Sequence, residues 1–235
     1  MVAAILVGGQ GTRLRPVVAD RPKALAEVGG QPFLAYLLDL LVRAEVRRAL
    51  LCTGHMGDQV QAHFGDSYRT LSLIYSPEPT PLGTGGALRL ALPLIDSEVV
   101  LALNGDSYCE ADLRLFWGWH GRQSARATLL LTRMADTGRY GQVQVQADGT
   151  ISGFSEKQAH SGPGWINAGV YLIARDWLSD IPSGRTVSLE HEVFPAWVGH
   201  GLYGWQGGGR FLDIGTPDAY AAAQTFFASV TADER

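Results

Sequence analysis

Cysteine is nearly absent from this chain: Cys52 and Cys109 are the only two among 235 residues. Both stand in or beside apolar, strand-like segments, and they read as small buried hydrophobes of a protein kept in a reducing compartment, the cytoplasm. Neither they nor the six histidines show the paired spacing of a metal motif, and His191-Glu192 lacks the second histidine of a zinc-protease helix. No apolar run approaches the ~20 residues that span a membrane. The apolar N-terminus is too short for a signal peptide and has no basic region before it. Basic runs are missing as well, and the formal net charge is −4. Nucleic acid and anionic membranes are therefore not expected partners. There is no Gly-x-Ser-x-Gly elbow, and no nucleophile with an obvious base.

What is present is a folded globular composition, 46% hydrophobic against 18% charged. In the first half, apolar runs at 3–7, 49–53, 71–75, 99–104 and 127–132 alternate with helical patterns at 32–46, 58–64, 84–92 and 112–122. Pro32 suits a first helical turn, and Phe33, Tyr36, Leu37, Leu40 and Leu41 recur at helical spacing. Such alternation predicts βαβ units and a three-layer, doubly wound, mostly parallel α/β sheet of Rossmann-like type. The second half predicts a hairpin about Asp148-Gly149, strands over 165–174 and 211–214, and a helix capped by Thr216 with Pro217 behind it, running through the alanines of 219–228. No linker divides the halves, so a single domain is expected over 1–230, with 231–235 a frayed tail. The apolar stretches around Trp117–Trp119 and 219–227 are either core or a contact in a homo-oligomer.

The first strand runs into Gly8-Gly9-Gln10-Gly11-Thr12-Arg13-Leu14-Arg15-Pro16, with Pro22-Lys23 a few residues on. Glycines let backbone N–H groups approach a polyanion, Arg13 offers a planar fork for phosphate oxygens, and Lys23 a compact charge. Leu14 stands where a dinucleotide fingerprint would have its third glycine, and no Gly-Lys-Ser/Thr of a P-loop follows. By itself the loop could be no more than a tight turn; the two cations favour a nucleoside triphosphate.

Asp106, in Asn104-Gly105-Asp106, ends an apolar run and so belongs at the carboxyl edge of the sheet, where ligands bind in open α/β folds. Asp213 lies between Leu212 and Ile214, a costly place for an unpaired acid. If the two converge they make a two-carboxylate site for Mg²⁺. A second glycine-rich loop, Pro81-Leu82-Gly83-Thr84-Gly85-Gly86-Ala87, opens a helix, and its amides could line a base or phosphate. Phe154-Ser155-Glu156-Lys157 places an acid and a cation after a strand, and Asn167 is a polar residue inside an apolar run that must find hydrogen-bond partners.

Together these stretches, with Ile166–Tyr171 and Phe211–Pro217, resemble the sugar-nucleotide pyrophosphorylase (nucleotidyltransferase) family, in that family's order and over nearly the whole chain. Gln31–Leu34, Leu82–Ala87, Leu103–Tyr108 and Arg139-Tyr140-Gly141 are most similar to the guanylyltransferases that act on D-glycero-α-D-manno-heptose 1-phosphate. Gly86-Ala87 stand where thymidylyl- and glucose-type uridylyltransferases usually carry a glutamine that reads the pyrimidine. The resemblance implies Mg²⁺-dependent transfer of a nucleoside monophosphate from an NTP, best GTP, to a sugar 1-phosphate, with release of pyrophosphate. It implies Arg13 on the triphosphate tail, Lys23 at the α-phosphoryl group, and Asp106 and Asp213 on the metal. Leu6, Gly8, Gly9, Gly11, Thr12, Gly83 and Thr84 would line the nucleotide with them, and Gly141, Glu156, Lys157 and Asn167 would engage the sugar phosphate.

Other readings remain open at this point. Mannose 1-phosphate guanylyltransfer and amino-sugar 1-phosphate uridylyltransfer use the same chemistry. A glycosyltransferase usually has Asp-x-Asp where this chain has Asn104-Gly105-Asp106. A regulatory subunit without turnover would be expected to have lost Arg13, Lys23, Asp106 or Asp213, and all four are present.

Overall fold

The computed structural model describes residues 1–155 and 162–227. Glu156 and Lys157 lie outside the described residues, as does the tail expected at 231–235. The strands are β1 (Val2–Leu6), β2 (Glu27–Val28), β3 (Gln31–Pro32), β4 (Arg48–Thr53), β5 (Ser67–Tyr68), β6 (Leu71–Pro77) and β7 (Val99–Asn104). They continue with β8 (Ser107–Cys109), β9 (Ala127–Met134), β10 (Gln142–Val145), β11 (Ile151–Ser155), β12 (Gly164–Ala174), β13 (Leu202–Gly208) and β14 (Phe211–Asp213). The helices are α1 (Phe33–Arg43), α2 (Gly57–Phe64), α3 (Gly83–Ala91), α4 (Leu113–Arg122), α5 (Arg175–Ser179), α6 (Phe194–Trp197) and α7 (Pro217–Ala223).

Eight strands form the central sheet in the order β13-β9-β12-β7-β1-β4-β6-β5. Strands β7, β1, β4 and β6 run parallel, so the residues that follow them emerge at one edge. β12 is antiparallel to both β7 and β9, which makes the sheet mixed. Its neighbours in the second half still follow the doubly wound plan, because β13 is parallel to β9.

Successive strand residues serve opposite faces, as the pleat requires. In β1, Ala3 and Ile5 join the core under α1, α2 and α4, whereas Val2 and Ala4 join the core under α3 and α5. In β12, Val170 and Leu172 go to the first core, Tyr171 and Ile173 to the second. Both faces are covered, which is why the parallel strands read as unbroken apolar runs.

Two expectations are revised and one strand was not expected. Pro32 precedes the first helical turn and pairs with Glu27 in the short β2–β3 ladder. Helix α7 has the expected Thr216 cap, whose Oγ1 accepts from Ala219 N, but ends at Ala223. Its continuation turns so that Phe227 stacks on Tyr36, with ring centroids 3.5 Å apart. β13 escaped the periodicity because Gly204, Gly207 and Gly208 interrupt its apolar residues. The two stretches considered for a subunit contact supply core: Phe116 is buried and stacks on Trp205, and Ala223 and Phe227 are buried. Cys52 and Cys109 are buried free thiols, and burial pushes both up to about 12.

At the carboxyl edge the backbones of β1 and β7 close on each other. Gly105 N donates to Leu6 O at 3.0 Å, and a Cβ at Gly105 would lie 2.5 Å from that oxygen. Gly105→Ala must push the two strand ends apart, and is expected to lower the unfolding free energy by about 1–3 kcal/mol, as read by urea denaturation.

Candidate active site

Four parallel strands deliver their carboxyl ends to one place: Gly8 after β1, Gly54 after β4, Glu78 after β6 and Asp106 after β7. A Cβ at Gly54 would lie 2.6 Å from Gly8 O, so these two loops touch through backbone. The glycine-rich loop then turns back on itself, with Leu14 N and Arg15 N both donating to Gly11 O, and is pinned by the buried Leu14.

A cavity of about 280 Å³ opens above this edge. Leu6, Gly8, Gly9, Lys23, Gly83, Thr84 and Asp106 of the expected nucleotide residues line it, together with Gln10, Glu78, Pro81, Ala87 and Asn104. Gly11, with φ +58°, lies behind the loop in a smaller recess. Thr12 and Arg13 are exposed on the loop. The Arg13 guanidinium reaches the other side of the site: a Cβ at Gly215 would meet Asp213 Oδ1 at 2.7 Å and Arg13 Nη2 at 3.3 Å.

Lys23 Nζ donates to Asp106 Oδ2 at 2.7 Å, with the lysine largely buried and the acid more open. Ser107 Oγ donates to the other oxygen of Asp106. Asp213 enters through the β14–β8 ladder, which sets it opposite Ser107, and Ile214 N donates to Asp106 O at 3.0 Å. The two acids thus stand on paired backbones. Gly215 N donates to Asp213 Oδ1. No group of three or more His, Cys, Asp or Glu forms a metal cage among the described residues. Two carboxylates with room for water and phosphate oxygens fit Mg²⁺, which seldom uses an all-protein cage.

A second, wider cavity of about 660 Å³ adjoins the first. Gly141, Asn167 and Asp213 line it, with Ser107, Glu190 and Phe194, and Asn104 is common to both cavities. Glu156 and Lys157 follow β11, whose Phe154 and Ser155 also line this cavity. The Asn167 amide is already engaged: Nδ2 donates to Tyr171 OH at 3.0 Å and Oδ1 accepts from Gly169 N at 2.9 Å.

The second glycine-rich loop works differently from the expectation. The N–H groups of Gly85 and Gly86 both donate to Val187 O, at 2.9 and 3.3 Å. A Cβ at Gly83 would lie 2.6 Å from the same oxygen, and one at Gly86 2.9 Å from Arg185 O. These glycines admit the 185–187 segment against the start of α3, and the amides of Gly85 and Gly86 are spent on protein.

Two acids went unnoticed in the sequence. Glu78 lines the first cavity; its Oε2 accepts from Leu82 N at 2.8 Å, and Oε1 lies over Gly8 with no donor among the described residues. Burial raises the pKa of its carboxyl above the ordinary value. Glu190 lies on a π-helical turn, Leu189–Val193, and accepts from Thr84 Oγ1, Ser188 Oγ, Asn104 Nδ2 and Tyr171 OH. Glu78 had one signal, an acid directly after an apolar strand. Glu190 had none, since only folding brings its partners to it.

The fold is shared with solved proteins. HddC from Yersinia pseudotuberculosis superposes with a TM-score of 0.86 at 30% identity, covering 96% of this chain and 99% of that one. The same protein complexed with GMP-PN gives 0.84 at 29% identity. By sequence, the chain is 36% identical over 225 residues to the D-glycero-alpha-D-manno-heptose 1-phosphate guanylyltransferase of Aneurinibacillus thermoaerophilus, covering 95% of this chain and 97% of that protein. It is 36% identical over 222 residues to the mannose-1-phosphate guanylyltransferase of Mycobacterium tuberculosis, covering 93% of this chain but only 62% of that longer protein. A family profile described as Nucleotidyl transferase matches residues 2–230, and with the four-strand edge, the two cavities and these relatives in agreement, the chain belongs to the nucleotidyl transferase family.

Proposed function

We propose that the protein transfers GMP from GTP to D-glycero-α-D-manno-heptose 1-phosphate, giving GDP-heptose and pyrophosphate, with Mg²⁺ as cofactor. The observation that carries the reading is the Lys23–Asp106 pair at 2.7 Å on the wall of the nucleotide-sized cavity, with Asp106 standing in sequence between Asn104, which lines both cavities, and Ser107, which lines the wider one. A phosphate-binding cation and a metal-binding acid share one point, and a reacting phosphorus belongs there. A phosphate oxygen of the sugar phosphate attacks the α-phosphorus of GTP, the bond from that phosphorus to the β-phosphate's bridging oxygen breaks, and pyrophosphate leaves. Positioning and charge neutralisation supply most of the catalysis.

In this reading Lys23 turns from Asp106 to the α-phosphoryl group, and Arg13 holds the departing pyrophosphate. Asp106 and Asp213 would hold Mg²⁺, which when bound offsets charge on the phosphate oxygens. Glu156 and Lys157 engage the sugar phosphate, Lys157 on its phosphate and Glu156 on hydroxyls, beside Gly141 and Asn167. Guanine is supported by Glu78: Oε1 is a carboxylate acceptor without a donor among the described residues, suited to the N1–H and N2–H₂ edge of that base. The relative that matches along its whole length, and the neighbour complexed with GMP-PN, support guanine and heptose. Mannose 1-phosphate is the second reading, favoured by the equal identity to the mycobacterial relative. The free buried thiols support a cytoplasmic location.

Pyrophosphate release, measured across five nucleoside triphosphates with heptose or mannose 1-phosphate, tests the reading. Turnover is expected with GTP and heptose 1-phosphate, and is lost on chelation; mannose 1-phosphate as the better acceptor would reverse the sugar assignment. Asp106→Asn should fold normally and lose roughly 10²-fold or more of kcat; wild-type turnover in that variant would remove Asp106 from the metal. Lys23→Ala should lower kcat far more than GTP affinity by equilibrium binding. Glu78→Gln should cut the preference for GTP over ATP by about 10- to 100-fold, the worth of a paired base edge. Protonation removes the Glu78 acceptor, and its pKa is raised. GTP affinity should therefore fall on acidification before ordinary carboxylates titrate, and Glu78→Gln should flatten that profile.

A further inference from the structure

Glu190 is an acceptor surrounded by donors. Oε2 takes hydrogen bonds from Thr84 Oγ1 at 2.7 Å and Ser188 Oγ at 3.1 Å. Oε1 takes them from Tyr171 OH at 3.1 Å and Asn104 Nδ2 at 3.3 Å. With both oxygens occupied twice, little acceptor capacity is left for a substrate hydroxyl. Three of these partners come from α3, β7 and β12 and the fourth, Ser188, from the start of the same turn; Thr84 lines the first cavity and Asn104 lines both.

The charge of Glu190 fixes the direction of every bond around it, because a carboxylate only accepts. Thr84 must give its proton to Glu190, which leaves its lone pairs to accept from Leu189 N at 2.8 Å. Tyr171 must give its proton too, and so its oxygen accepts from Asn104 Nδ2 at 3.2 Å and Asn167 Nδ2 at 3.0 Å. Asn104 is held with its amino group on Glu190 and Tyr171 and its Oδ1 buried without a partner among the described residues. Gly169 leaves room for this: its φ is +74°, and a Cβ there would lie 3.1 Å from the Asn104 Cβ. Tyr171 is fully buried, which makes its hydroxyl a fixed relay.

We propose that Glu190 is the positioning residue that holds the nucleotide and sugar phosphate cavities in register, through Thr84 and Asn104 on one side and through Tyr171 and Asn167 on the other. The inference rests on the preceding reading of the two cavities. Its setting agrees: a π-turn, here closed by Val193 N on Ser188 O at 3.1 Å, is rare and often found at functional sites. A reaction between two bound substrates depends on their mutual placement, and an error near 1 Å can cost about 10²-fold in rate.

The test compares wild type, Glu190→Gln, Tyr171→Phe and the double variant. Glutamine keeps the size but turns one acceptor into a donor, so the two bonds that atom accepts must reverse or break. In the full-length proteins without substrate, hydrogen exchange of Glu190→Gln should quicken in both 82–88 and 166–171, with the rest of the sheet unchanged. In pyrophosphate release, kcat should fall about 10- to 100-fold while KM for GTP and for the sugar phosphate each move only a few-fold. Tyr171→Phe should show the same split, and the double variant should be no slower than Glu190→Gln alone, since the two act through one relay.

Faster exchange throughout the protein would overturn the proposal and make Glu190 a stabiliser of the whole fold. Unchanged exchange in either segment, an unchanged kcat, or a defect confined to one KM would also overturn it. A wild-type protein without turnover on any sugar phosphate would defeat the functional reading, and the exchange pattern alone would then decide the role of Glu190.

Discussion

The contact of backbone with backbone at the carboxyl edge of the sheet is the constraint from which the site follows. Gly105 N–H on Leu6 O joins the ends of β7 and β1, and Gly54 meets Gly8 where β4 and β1 end, in both cases too closely for a Cβ. With the strand ends drawn together, the chain beyond β1 brings Lys23 to Asp106, and the chain beyond β6 brings Glu78 over Gly8. The glycines of the first loop thus act first on protein geometry; their openness to a phosphate follows from it. Any side chain at Gly105 would separate the two halves of the Lys23–Asp106 pair along with the strands.

A second frame is laid against this one by the antiparallel β12 and the segment after α5. β12 pairs with β7, so Asn167 and Tyr171 stand beside Asn104. Residues 185–190 close over the start of α3, where Val187 O takes the Gly85 and Gly86 amides that a helix start otherwise leaves unpaired. Asp213 arrives through a separate short ladder, β14 on β8. The first two of these stretches meet at Asn104 and the third arrives just beyond it, at Asp106 and Ser107, which explains why this short polar side chain stands between the two cavities.

The strands of the first half were legible because burial on both faces makes them continuous apolar runs, and the predicted bounds of β7 match those observed. Asp106 was legible from its place at the end of such a run. What failed to show has physical causes. β13 is broken by glycines that leave room for its neighbours: a Cβ at Gly204 would lie 2.5 Å from Leu131. In the second glycine-rich loop, a glycine that admits a passing backbone and a glycine that cradles a phosphate look the same in sequence. Asn167 was rightly singled out as a polar residue needing partners, but those partners are Tyr171 and Gly169, four and two residues along. Glu190 follows an ordinary Ser188-Leu189, and no spacing predicts a π-turn or the four donors that gather on it.

Charge economy sets how such a site can be occupied. The chain is acidic overall and has no basic run, so a triphosphate is met by a few local cations, of which Lys23 is already committed to an acid. Lys23 is held by Asp106 at 2.7 Å and is only 13% exposed at its side chain. An anion alone would have to pull Lys23 away and leave Asp106 uncompensated; a cation alone would have to strip Asp106 and leave a largely buried ammonium unpaired. Either exchange opposes itself, because a partly buried charge left without its partner is costly. A nucleotide that arrives with its own divalent cation satisfies both ends in one step: phosphate oxygens receive Lys23 as the cation receives Asp106. On the proposed reading, the ion pair of the free protein thus favours the metal–nucleotide complex over either component, and does so without the basic surface that this sequence lacks.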